Sequence, residues 1–188
     1  TWTGHEIRMV GDVGKSAGTQ RISYREGKKT GHVTVVVAHR MAYLRGDAFT
    51  LQNYMGFTAA QTSSYANRWI AIPSSDQAYG PVAAAVTLGS ALDDLTPKGT
   101  LARVAPTTIG GRKVVGVRGT SVQSGKTVAN TLYGRATGAA LPVREVATSA
   151  GVRVVSVLSR WNERVSVSVP HGAVGIAKVR KAGSGPTA

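Results

Sequence analysis

The sequence predicts an α+β fold: one large curved antiparallel sheet of about nine to eleven strands, with a few helices covering its concave apolar face. Three observations lead there. Apolar and polar residues alternate through most of the chain, the period expected of half-buried strands. From residue 100 onward, Gly or Pro marks junctions at intervals of roughly 8 to 12 residues, as in an antiparallel meander. Residues 50–66 and 81–95 break the alternation and supply helices.

Each element has a local reason. Ile7 and Met9 alternate with Glu6 and Arg8, and Ile22 and Tyr24 alternate with Arg21, Ser23 and Arg25, which gives two strands. Between them Asp12, Gly14, Ser16 and Gly18 are turn formers, so GDVGKS at 11–16 is read as a hairpin connection. GHVTVVVAHRMAYLRGD at 31–47 reads as a strand with Val33, Val35 and Val37 on one face, a tight bend at His39 and Arg40, and a partner strand. TLQNYMGFTAAQTSSYA at 50–66 suits one or two short helices, and RWIAIP returns to strand and stops at Pro73. The clearest helix is predicted over 81–95. Pro81 suits a first turn, and Ala85, Leu88, Leu92 and Leu95 fall on one side. Strands follow at 100–109, 112–120, 127–137, 141–148, 152–161 and 165–170. The chain is read as a single domain over 1–176, with 177–188, rich in Gly, Pro and Lys, as a flexible tail.

Composition narrows the chemistry. A chain of 188 residues that is 42% hydrophobic can bury a core of its own. Its 23 Lys and Arg against 9 Asp and Glu give a formal +14, which favours a polyanionic contact: an anionic membrane surface, an acidic polymer or nucleic acid. Arg8, Arg21, Arg25, Arg103, Arg118, Arg135, Arg144 and Arg153 are scattered singly through strands, as on solvated faces. Aromatic residues are few and spread out, so no stacking platform is indicated and nucleic acid is not expected. There is no cysteine, which excludes disulfides and thiolate chemistry.

GDVGKS ends like a phosphate-binding loop, but the pattern G-x-x-x-x-G-K-S/T requires glycine where Met9 stands, and a strand follows instead of a helix. GTSVQSGKT at 119–127 fails likewise, with Thr120 in the glycine position. Lys15 is therefore expected at a turn on the rim, where any phosphate it met would belong to a membrane surface. The four histidines lack metal-site spacing, Asp93 and Asp94 are adjacent and diverge, and no G-x-S-x-G elbow appears. No cofactor, no metal and no catalytic residue is expected; the chain is read as a non-enzyme.

Four ordered stretches carry a resemblance: AHRMAYLRGD at 38–47, RWIAIPSSD at 68–76, TLYGRATGAALPVRE at 131–145 and SRWNERVSVSVP at 159–170. Together, over about residue 5 to 175, they resemble the LolA/LppX/LprG-like superfamily of bacterial, and in particular actinobacterial, envelope lipoproteins. The resemblance implies a LolA-like half-barrel whose helices enclose a hydrophobic cavity for acyl chains. It implies export to the cell envelope or beyond, with tethering through a lipidated N-terminal cysteine upstream of Thr1. The family's usual N-terminal helix and its lipobox cysteine are both missing from this sequence, which suggests a truncated start.

The expected function is non-enzymatic binding or carrying of a lipid or acylated ligand by a monomer. An acyl chain needs only a long apolar surface, at about 0.8 kcal/mol per buried methylene. Candidate cavity residues are Ile7, Met9, Ile22, Tyr24, Val33, Val35, Val37 and Leu132 on strands, with Leu88 and Leu92 on the covering helix. Each also suits plain core packing. Two alternatives stand beside this reading: an envelope structural or sensory domain with a filled core, and a polyanion-binding protein.

Overall fold

The computed structural model describes residues 5–84, 86–123, 125–149 and 152–183. They form an α+β fold of eleven strands and five helices, with the strands shared between a six-stranded and a five-stranded sheet. Two compact units result: unit 1, Thr1–Ala91 with Arg164–Ala188, and unit 2, Leu92–Glu163.

Unit 1 opens with β1 (His5–Val13), β2 (Gly18–Glu26), β3 (Lys29–Ala38) and β4 (Met41–Gly46), each antiparallel to the one before. The helices α1 (Ala48–Tyr54) and α2 (Ala59–Tyr65) follow, then β5 (Ile70–Pro73) and α3 (Tyr79–Ala84). The unit is completed from the far end of the chain by β11 (Val174–Gly175), parallel to β5, and α5 (Ile176–Gly183).

Register explains the core. Cross-strand partners share a face, so Met9–Ile22–Val33 and Val35–Leu44–Ile70 form continuous apolar rows. Onto this inner face pack Leu51 of α1, Tyr65 of α2, Ala83 of α3, Val86, and Ile176 and Val179 of α5. The outer face carries the alternate residues, among them Arg8, Arg21, Arg25 and Arg45, all exposed.

Helices α1 and α2 start at sequence-encoded caps. The Asp47 carboxylate accepts the N–H of Thr50 at 2.8 Å and the backbone N–H of His32, tying α1 to β3. Thr58 and Gln61 form a reciprocal capping box at α2. Gln61 also reaches the Val179 carbonyl at 3.2 Å, and Arg180 grips Asp76 through two bonds of 2.6 and 2.7 Å. That grip, with the Ala78 N–H, holds the Asp76 carboxyl below its ordinary range. Residues 177–183, expected as flexible tail, are thus helical: Val179 and Ile176 are spaced to bury one face, which alternation-based reading missed. Residues 184–188 of that expected tail lie outside the described residues.

Two further expectations are corrected. The single helix over 81–95 is interrupted: α3 ends at Ala84 and α4 (Leu88–Leu95) begins after Val86 and Thr87. The Leu88 N–H donates to the Gly14 carbonyl at 2.9 Å, and Thr87 bridges to Gly14, so the helical ladder is traded for a contact with the β1–β2 turn. Ala85, one of the positions used to predict that helix, lies outside the described residues. Residues 165–170, predicted as a strand, join no ladder. Val165 and Val167 are half-buried between exposed serines, so the alternation reflects side-chain burial without backbone pairing.

Unit 2 is a meander of β6 (Thr100–Ile109), β7 (Arg112–Gln123), β8 (Lys126–Arg135), β9 (Pro142–Ser149) and β10 (Val152–Val157), all antiparallel. The register slips between Val104 and Thr107, a bulge that accommodates Pro106, which has no N–H to give a ladder. One row across the sheet reads Arg103–Val117–Leu132–Glu145–Ser156.

Candidate functional site

The predicted cavity residues separate into three groups. Ile22, Tyr24, Val33, Val35 and Val37 come together in the unit 1 core, buried against the helices; Tyr24 stacks on Tyr54 of α1 with ring centroids 4.1 Å apart. Burial, followed by the neighbouring Tyr54, raises the Tyr24 phenol above its usual value. Ile7 and Met9 lie on that same inner face, opposite Tyr24 and Ile22, yet remain 58% and 55% exposed. The covering helices stop short of β1, so the apolar surface continues from a packed core to an open strip at the sheet edge. Leu88 is half-buried in unit 1, while Leu92 and Leu132 are half-buried in unit 2.

In unit 2, Leu101, Val117 and Val154 are exposed on the Leu132 face of the sheet. Among them Glu145 is only 3% exposed and accepts a bond from the Ser156 hydroxyl at 2.8 Å. Burial raises its carboxyl pKa, and the serine donor partly offsets the rise. Asn130, on the adjacent row, donates to the Leu95 carbonyl at 3.4 Å and so ties the end of α4 to this face.

A second feature is polar. Lys15 and Ser16 of the β1–β2 turn, His39 and Arg40 of the β3–β4 turn, Tyr79 of α3 and Thr87 line an open depression of about 400 Å³ in unit 1. His39 and Arg40 both have positive φ, 51° and 61°, and are the two central residues of a tight hairpin. Such turns ordinarily take Asn-Gly, and two side-chain-bearing residues there cost roughly 1–2 kcal/mol each. The site draws on residues noticed singly in the sequence, namely the GKS stretch and the bend. No local pattern signals that the two turns share one hollow, or that Tyr79 and Thr87 complete it.

The Nδ1 of His32 lies 3.0 Å from the Ser23 hydroxyl. Ser23 and His32 are direct cross-strand partners on the exposed outer face, and Asp47 is occupied by backbone N–H groups of His32 and Thr50 instead of the imidazole. The pair is an ordinary sheet contact.

These features define an α+β protein with open apolar strand faces and one basic hollow at the hairpin ends. The chain is similar to the crystal structure of LprF from Mycobacterium bovis, at 14% identity over 90% of each chain and a TM-score of 0.49. No protein-family model and no curated protein matches it. No helix among the described residues is long and apolar enough to cross a membrane.

Proposed function

We propose that this protein is a non-enzymatic carrier of a lipid or acylated ligand at the bacterial cell envelope. The observation that carries this reading is the inner face of the six-stranded sheet, which runs from a helix-covered core to the uncovered side chains of Ile7 and Met9. Leaving such side chains in water forgoes stabilisation of about 25 cal/mol per Å² of apolar surface, a loss that an acyl chain laid along the strip recovers. The Leu132 face of unit 2 offers a second open apolar surface of the same kind. The four ordered stretches that resemble those of envelope lipoproteins point the same way, as does the formal +14 charge, which draws the molecule to anionic membranes.

The test begins with organic extraction and native mass spectrometry of protein purified from its own host, in which a co-purifying lipid is expected. The double variant Ile7→Lys/Met9→Lys then separates binding from folding. Both side chains are already exposed, so stability should change by no more than about 0.5 kcal/mol per site, while lipid retention is lost. Full retention of lipid by this variant would place the ligand elsewhere, and a wild-type protein that never carries lipid would remove the proposal.

A further inference from the structure

We infer that the hollow between the β1–β2 and β3–β4 turns is a receptor for a phosphate group, carried either by a soluble phosphate or by a lipid headgroup. Its six lining residues bring one lysine, one arginine, one histidine and three hydroxyl groups, with no carboxylate among them. That is the donor set that phosphate oxygens require: Lys as a compact charge, Arg as a planar fork, hydroxyls as adjustable donors. A volume of about 400 Å³ falls within the range of small-molecule sites.

Among the described residues, no ion pair engages Lys15 or Arg40. Arg40 is instead held through its Nε, which donates to Ser74 Oγ at 3.3 Å, while its backbone carbonyl accepts the Ser74 N–H at 2.9 Å. This anchoring spends the Nε, and among the described residues no hydrogen bond engages either Nη group. The carboxylate nearest to Ser74 in sequence, Asp76, is neutralised by Arg180.

The scaffold is fixed on both sides. The Gly14 carbonyl accepts the Leu88 N–H, which seats the Lys15–Ser16 turn beside Thr87. A Cβ at Gly14 would strike the Ala17 carbonyl, and one at Gly18 the Val86 carbonyl, so glycine is what allows this approach. Opposite, the chain holds His39 and Arg40 in left-handed conformations that unstrained hairpins give to Asn or Gly. Strain of this sort persists where surrounding structure imposes it and accompanies binding sites. None of the six residues belongs to the apolar strip, so the inference stands apart from lipid carriage.

The experiment uses the full chain, labelled with nitrogen-15 and titrated with inorganic phosphate while chloride keeps ionic strength constant. In parallel, sedimentation measures binding to phosphatidylglycerol vesicles and to phosphatidylcholine vesicles. Two charge-matched variants accompany the wild type: Lys15→Ala/Arg40→Ala in the hollow, and Arg21→Ala/Arg45→Ala on the outer sheet face. Saturable amide shifts at residues 15, 16, 39 and 40 with phosphate are expected, weakened at least about tenfold in the first variant and little changed in the second. Saturation by phosphatidylglycerol alone, with the same variant pattern, assigns the phosphate to a lipid headgroup. Absence of saturation with every probe, or equal weakening in both variants, overturns the site and leaves only diffuse charge attraction.

Discussion

Gly18 and Glu145 illustrate how much single positions decide here. Gly18 pairs with Val13 and Val37 and lies against the Val86 carbonyl, so even one added methyl group must displace backbone. Gly18→Ala is expected to lower stability by about 1–3 kcal/mol through overpacking, read as a lower urea midpoint; an unchanged midpoint would show that the turn is free to move. Glu145 is the opposite case, a polar group buried by its neighbours. Because burial raises its native pKa above the unfolded value, the native state binds more protons across that window. Its contribution to stability is complete below the ordinary glutamate pKa and falls as pH rises through the raised native value. Glu145→Gln should remove this decline, so urea midpoints of the two proteins, compared between about pH 4 and pH 8, are expected to diverge as pH increases. Parallel curves would mean that the carboxylate is solvated in solution.

At the level of elements, local signals and tertiary demands divide the helices between them. The α2 helix was legible only as a loss of alternation over 50–66; the capping box of Thr58 and Gln61 that starts it, with reciprocal bonds of 3.2 and 2.8 Å, is a local signal that the periodicity did not use. Thr58→Ala should cost about 1 kcal/mol, with the loss localised to α2 amides in hydrogen exchange; exchange spread evenly over unit 1 would contradict a local cap. The α3–α4 pair shows the other regime. Its sequence supports one continuous helix, but Leu88 gives its N–H to Gly14, a partner more than seventy residues away in sequence, and the helix breaks there. Periodicity measures which side of a segment is apolar and is blind to where its backbone hydrogen bonds go. Residues 165–170 failed for the same reason, since alternating burial occurs there without a strand partner. Strands β1 to β4 were readable because stretches of each alternate and short turns join them, so register follows from turn length, even where β3 ends in the fully buried run Val35–Ala38.

For the molecule as a whole, burial is distributed very unevenly. Among the described residues every fully buried apolar side chain belongs to unit 1 except Val114, while Leu101, Val115, Val117, Val122, Val154, Val155 and Val157 of unit 2 are exposed. Local opening free energy follows buried apolar contact, so amides of β3 and β4 should exchange near the limit set by global unfolding and those of β7 and β8 considerably faster. Equal protection in both sheets would contradict this uneven distribution of stability. The α+β class and the positions of most turns were legible in the sequence, because alternation and glycine placement act over a few residues; the division of the strands into a six-stranded and a five-stranded sheet, where one large sheet was expected, was not. Tertiary structure decided the rest: which apolar faces the helices cover, that Ile7 and Met9 stay open while their partners Ile22 and Tyr24 are buried, and that two separate turns pool their cations in one hollow. Alternation says that a face is apolar, but only the reach of the packed helices determines how much of it remains in water.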